Sequence, residues 1–282
     1  MRPATAPAAR RPSRPGDEPD WRRYDSVAEA YARNLAPRTA LPARDLVEIM
    51  RIPPGGRVLD VGTGTGVGAR AALEAGAGSA VGVDPSVPML EVARREGGPA
   101  RFLAADTIDL PFRDESFDAV LALFSVSHFT KADTALFDLF RVLRPGGRMG
   151  VATWGAGDDE FARTWNGVAE QYAEPQLLKG AYLRAMPGSE RFSDGIRLKN
   201  ALHDAGLRDI WIESRQYRFE MTAEEYLAGR ESLATGRFLR QMLGEEIWGI
   251  FRRRVREAFA ERFPPAFNDF RDVILAVGHE PA

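Results

Sequence analysis

From Trp21 onward, apolar residues recur at the spacing of one helix face: Tyr24, Val27, Ala28, Tyr31 and Leu35 share a side, and a second helix is expected from about Ala43 to Met50. The pattern then changes. Arg57 to Val61 is a short apolar run of buried-strand type, followed by a glycine-rich turn (Gly62, Gly64, Gly66, Gly68) and a helix around Ala69 to Ala75. Ala80 to Val83 reads as a second strand, Ser86 as the cap of a helix reaching Arg95, Ala100 to Ala104 as a third strand and Phe117 to Phe124 as a fourth. A helix from Asp133 to Val142 and a turn over Arg144 to Gly147 lead into a fifth strand, Arg148 to Thr153. Short strands alternating with helices predict an α/β fold with a parallel sheet covered on both faces.

Beyond that point the alternation stops. Phe161 to Tyr172 and Ile196 to Ala205 have helical spacing, and the segment between them is expected to contribute to a lid. Leu207 to Phe219 reads as a long strand, Thr222 to Phe263 as a helical insertion and Asp269 to Gly278 as a last strand. Two late strands predict an antiparallel hairpin at the sheet edge, for seven strands in all. The expected organisation is a single domain over residues 21–282, with lid helices at 21–52 and lid or insertion segments at 154–205 and 222–266. Residues 1–20, rich in proline, arginine and alanine with almost nothing large and apolar, read as a disordered tail; a targeting or anion-contacting role is the other reading. No internal repeat is visible.

Composition narrows the chemistry. With 282 residues, 44% apolar and 28% charged, the chain can bury a large core. A net charge of -2 supplies no positive field for nucleic acid, so none is expected as a partner. The absence of cysteine removes disulfides, thiolate metal sites and cysteine nucleophiles. No apolar run approaches the roughly 20 residues that span a bilayer, so the protein is expected to be cytoplasmic, without a membrane partner, and a monomer or homodimer.

The strongest local signal is VLDVGTGTGVG, residues 58–68, at the passage from a strand to a helix. Glycines there permit a sharp turn and close approach of a ligand to a helix N-terminus. Gly64, Gly66 and Ala69 also satisfy a dinucleotide fingerprint, so a nicotinamide or flavin ligand has to be weighed. Asp60 bears on the choice: a carboxylate at the strand end suits a ligand with a free ammonium and would repel a pyrophosphate. Asp84 ends the second strand in VGVDPS, eighteen residues beyond Gly66, where it can accept from a ribose diol or cap the next helix. Asp106, in LAADTIDLPF, can accept from an adenine amino group or simply make a turn.

In this order the pieces resemble the class I S-adenosylmethionine (SAM)-dependent methyltransferases, particularly the small-molecule subgroup of quinone-biosynthesis and natural-product tailoring enzymes (methyltransferase type 11). The resemblance covers about residues 24–278 and rests on YDSVAEAYARN (24–34), VLDVGTGTG (58–66), VGVDPSVPMLEVAR (81–94), AADTIDLPF (104–112), ESFDAVLALFSVSHF (115–129) and RVLRPGGRM (141–149). It implies a Rossmann-like, seven-stranded, mostly parallel sheet with a helical lid, and SAM as cofactor with S-adenosylhomocysteine (SAH) as product. It further implies that Asp60 and Gly62, Thr63, Gly64 and Gly66 surround the methionine portion. Asp84 with Pro85 would hold the ribose, Met89 would pack on adenine, and Ala105, Asp106 and Thr107 would meet its amino edge. Phe124 and Ser125 would flank the cofactor through backbone contacts, and Tyr24 or Tyr31 would close over it. Thr63 departs from the cysteine many relatives carry, and no chemistry is expected to depend on it.

Methyl transfer from SAM is an in-line displacement for which a protein mainly supplies alignment, and a base is needed only where the acceptor loses a proton. Of the three histidines, His203 and His279 read as surface residues, whereas His128 follows the fourth strand at the expected rim. A general base or acceptor contact competes there with simple packing; Tyr24 is the other candidate catalytic group, though a lid role accounts for it. LFSVSHF (123–129) lacks the Asn/Asp-Pro-Pro-aromatic turn of exocyclic-amine methylases, and neither a glutamate pair for guanidinium nor a carboxylate triad for Mg²⁺ is present, so no metal is expected. A small acceptor, a ring or polyketide-like natural product, would meet Trp154, Phe161 and Trp165, residues that core packing explains equally well. The alternative is a protein of this fold that binds SAM or SAH on a tailoring pathway and catalyses a non-methylating reaction.

Overall fold

The computed structural model describes residues 20–96, 98–157 and 159–281, so the tail expected over residues 1–20 lies, except for Asp20, outside the described residues. Seven strands form one sheet: β1 (Arg57–Val61), β2 (Ser79–Asp84), β3 (Arg101–Ala104), β4 (Phe117–Leu123), β5 (Leu143–Trp154), β6 (Arg208–Thr222) and β7 (Ala266–His279), in the order β3-β2-β1-β4-β5-β7-β6. The first five are parallel, and β7 lies antiparallel between β5 and β6. The expected edge hairpin is present, with its second strand on the inner side.

Eleven helices are numbered α1 (Ala28–Asn34), α2 (Ala36–Met50), α3 (Val67–Glu74), α4 (Val87–Arg95), α5 (Ala132–Arg141), α6 (Glu160–Ala169), α7 (Pro175–Ala185), α8 (Ser189–Phe192), α9 (Gly195–Asp204), α10 (Ala223–Ser232) and α11 (Ala234–Arg262). Leu46, Met50 and Ala72 of α2 and α3 pack with Leu121 and Leu275 on one side of the sheet. Leu136 and Leu139 of α5, with Leu198 and Leu202 of α9, pack with Val120 and Ile274 on the other. Near-continuous burial of β4 and the inner half of β7 follows from cover on both faces.

Capping sets several helix starts. The Ser86 hydroxyl accepts from Met89 N–H, Asp159 accepts from Ala162 N–H, and Thr222 forms a reciprocal box with Glu225. Several boundaries differ from expectation; β5 begins at Leu143, so the expected turn over Arg144 to Gly147 is an irregularity within that strand. The first helix begins only at Ala28, after a single 3₁₀ turn at Asp25–Val27, and α2 begins at Ala36 and runs through Pro42. Proline normally ends such a run, but here Ala36, Thr39, Pro42, Ala43 and Leu46 form one buried face, and tertiary packing outweighs the lost backbone hydrogen bond. Helices α7 and α8, left unassigned between the two predicted helices, fill the lid segment.

The lid has its own core. Trp165, Tyr226, Leu239, Trp248, Phe251 and Phe259 bring α6, α10 and α11 together, and α11 is interrupted at Gly244, whose φ is 71°. Gly236 allows α11 to follow α10 closely, since a Cβ there would overlap the Arg230 carbonyl oxygen and lie 2.8 Å from the Glu231 Cα. Gly236→Ala is therefore expected to cost about 1–3 kcal/mol, the range for overpacking a tight site. Thermal unfolding checks this; an unchanged midpoint would show that the helices can separate freely.

Candidate functional site

Sheet order reverses between β1 and β4, which opens a crevice at their carboxyl ends. The loop after β1 lines it. Gly62, Gly64 and Gly66 all have positive φ, at 68°, 51° and 83°, a region that favours glycine. A side chain at Gly62 would collide with Ser125 Cβ, and one at Gly66 would lie 2.9 Å from the Phe102 ring. Loop and strand ends are joined directly: Gly62 N–H and Thr63 N–H both donate to the Val83 carbonyl at 2.9 Å, and the Ser125 hydroxyl donates to the Val61 carbonyl at 2.8 Å.

Two carboxylates brace this loop. Asp60, 1% exposed, accepts on Oδ2 from the Thr63 hydroxyl at 2.6 Å and from Ala69 N–H at 2.8 Å. Thr63 thus has a role that the sequence did not predict for it. Asp84 accepts from Gly64 N–H at 2.9 Å on one oxygen and from Ser86 N–H at 2.8 Å on the other. Burial raises the pKa of Asp60 to about 6 from 3.8; the hydrogen bonds from Thr63 and Ala69 and the Arg70 charge oppose the shift, and the Asp84 charge adds to it. Asp84 is also raised, first by burial, against the two backbone hydrogen bonds.

A cap closes the crevice from the N-terminal side. Tyr24, Ala28 and Tyr31 pack on Met89 and Val92 of α4, and the Tyr24 ring meets Tyr31 edge-on at 5.4 Å and His128 at 5.6 Å. Arg237 of α11 lies over Tyr24, its Cζ 4.5 Å from the ring centroid. It is 7% exposed and its guanidinium donates to the carbonyls of Trp21, at 2.7 Å, and Ser232. Sequence reading missed it because Trp21 and Tyr24, which it joins, are more than two hundred positions away, while the conspicuous Arg252 and Arg256 pair with Glu231 and Glu224.

At the ends of β4 and β5, Phe124 pairs with Trp154, ring centroids 4.3 Å apart. Phe124 has φ 55°, a left-handed conformation costly for a bulky residue and held here by its N–H donating to the Ala152 carbonyl at 2.7 Å. His128 Nδ1 lies 3.0 Å from the Ala185 carbonyl, and burial lowers its pKa. Asp106 is exposed, with Oδ1 accepting from Thr107 and Ile108, while Thr107 and Ala105 are half-buried and Pro85 is exposed. Trp165 and Phe161 belong to the lid core: Trp165 is edge-on to Phe251 at 5.1 Å, and Phe161 stacks on Phe267 at 4.0 Å. The structure gathers Tyr24, Tyr31, Asp60, Asp84, Met89, Phe124, Ser125, His128 and Trp154 around the crevice and its rim, and leaves Trp165 surrounded by lid residues.

Comparison with known proteins gives the same chemistry. A family described as a methyltransferase domain matches residues 59–151. A demethylmenaquinone methyltransferase from Paenarthrobacter aurescens is 31% identical over 197 residues, 67% of this chain and 75% of that protein. One from Thermus thermophilus is 46% identical over 100 residues, 34% of this chain; the match spans 46% of that protein, about half its length. Among solved structures, a Haemonchus contortus phosphoethanolamine N-methyltransferase in complex with SAM superposes with a TM-score of 0.56 at 19% identity, covering 92% of this chain and 57% of that one.

The residues fit SAM. Asp60 Oδ1 is buried without a partner, as the counter-charge of an ammonium should be. Each oxygen of Asp84 retains a lone pair after its backbone bond. Asp60 also generates a prediction. Because its folded pKa lies near 6, above the ordinary 3.8, its ionisation opposes folding as pH rises through that window. An ammonium ligand favours the ionised form, so SAM affinity should rise between about pH 5 and 7 with release of a proton. Titration calorimetry in buffers of different ionisation enthalpy measures this; an affinity flat with pH would remove Asp60 from the ligand. With 75% of the Paenarthrobacter aurescens protein spanned at 31% identity and a methyltransferase domain matched over residues 59–151, the chain belongs to the class I SAM-dependent methyltransferases and is a SAM-dependent methyltransferase enzyme.

Proposed function

We propose that the enzyme methylates oxygen or carbon on a small, flat ring acceptor bound beside Phe124 and Trp154. The observation that carries this reading is the paired rings of Phe124 and Trp154 at the ends of β4 and β5, where the next residue, Ser125, donates to the Val61 carbonyl before the glycine loop and accepts from His128 N–H. Flat apolar walls with few polar groups suit a ring. The relatives named demethylmenaquinone methyltransferase support an acceptor of the quinone type over a polyketide.

SAM supplies a methyl group on a positive sulfur, and the residues of the chain place, shield and deprotonate around it. Asp60, with the glycine loop, holds the ammonium end, Asp84 the ribose diol, and Met89 the face of the adenine. Tyr24 and Tyr31, both with pKa raised by burial, stay neutral and exclude water as a cap. His128 takes the acceptor proton. A carbonyl only accepts, so Nδ1 must carry hydrogen toward Ala185, which leaves the lone pair on Nε2. Burial keeps the ring neutral, so it is already in the basic form at pH 7.

His128→Phe should lower the rate of SAH formation by about 10² to 10⁴ with SAM affinity preserved, the range for losing a general base. The check is SAH release with hydroxylated aromatic acceptors, alongside calorimetric SAM titration of the same variant. A rate within about threefold of the parent would assign His128 to packing.

A further inference from the structure

Arg38 of α2, Asp269 and Arg271 of β7, and Tyr226 of α10 meet where the lid joins the sheet. The Arg38 guanidinium pairs with Asp269, and Arg271 bridges Asp269, at 3.2 Å, and Asp159, at 2.9 Å. Arg38 also lies over the rings of Phe219 and Trp154, 5.1 Å and 6.0 Å from their centroids. Trp154 is the partner of Phe124, so the cluster is the polar neighbour of the proposed ring site.

Four buried atoms in this cluster have no hydrogen-bond partner: Asp269 Oδ1, Tyr226 Oη, Arg38 Nε and Asp159 Oδ2, of which Asp159 Oδ2 is ion-paired with Arg271 at 2.9 Å. Asp269 is 0% exposed and Tyr226 2%, so bulk solvent does not reach them. Around them the surface is apolar, with the Tyr226 ring against Phe161, Phe259 and Phe267. Orphaned polar groups of this kind, drawn from three separate elements beside an aromatic wall, are what a ligand with its own hydrogen-bonding end would complete.

We infer that Tyr226, Asp269 and Arg38 recognise the polar end of the acceptor, an uncharged ring that carries a hydroxyl. The inference rests on the reading of the site as one for a ring acceptor. Asp269 Oδ1 can only accept and Arg38 Nε–H can only donate, while Tyr226 does either. A hydroxyl matches all three. An acceptor bearing phosphate or carboxylate does not, because two arginines are already balanced by Asp159 and Asp269. These atoms are covered, so entry of the ring requires Tyr226 of α10 to move off Phe267 of β7.

The test compares 1,4-dihydroxynaphthalene, kept reduced under argon, with 1,4-dimethoxynaphthalene as ligands of the full chain with and without SAH. The parent should bind the diol about tenfold or more tighter, the scale of hydrogen bonds to buried and charged groups. Tyr226→Phe and Asp269→Asn should shrink that preference to about threefold or less while SAH affinity stays unchanged. Tyr226→Phe removes a hydroxyl that no protein group bonds, so its thermal midpoint should not fall. A purely structural hydroxyl would leave the diol preference intact in that variant, and this result, or a parent that does not distinguish the two ligands, would overturn the inference. Failure of SAH to bind would instead contradict the proposed function, and the titration without SAH would still decide the role of Tyr226.

Discussion

The loop after β1 bends through three residues of positive φ, and a chain that flexible would not hold one shape by itself. Two carboxylates fix it. Asp60 ties its far end to the start of α3 through Ala69, and Asp84 ties its middle to the end of β2 through Gly64. Asp60 is buried and Asp84 half-buried, and withdrawing a carboxylate from water is tolerated only where hydrogen bonds or charge offset the loss. Here the loop amides and the Thr63 hydroxyl do so in part, and the remaining unpaired oxygen of Asp60 keeps the cradle poised for a positive group. The same contacts that shape the loop would, on the proposed reading, also prepare it for the cofactor.

Closure over that cradle draws on distant parts of the chain. Tyr24 stands between Tyr31 and His128, and Arg237 reaches from α11 to cover its other side. A guanidinium buried against carbonyls and an aromatic face, rather than against a carboxylate, holds position through directional hydrogen bonds and the ring quadrupole. The N-terminal cap and the lid insertion are thus one mechanical unit.

Much of this was legible in the sequence, for reasons that differ by element. The central strands β1 and β4 are buried on both faces and announce themselves as apolar runs, while the edge strand β3 is mostly exposed, and Ser86 is a strong local cap. Asp60 and Asp84 were identifiable by their place at strand ends, although their bonds to the loop were not, because those depend on how the glycines turn. α2 ran past Pro42 since burial of one face outweighed a local breaker, and α8, only four residues long, is too short to show a periodicity. Arg237, Arg38 and Asp269 carry no local signal at all. Their significance arises from contacts across about two hundred residues or more, which composition and periodicity do not encode.

The central claim is that the two braced carboxylates and the glycine loop form a SAM cradle. Calorimetric titration of the purified protein with SAM and SAH, with NADH as control, tests it most directly. The account predicts saturable, roughly micromolar binding of SAM and SAH and none of NADH, on the scale of about -8 kcal/mol. A folded protein that bound neither SAM nor SAH, or that bound NADH in their place, would contradict it.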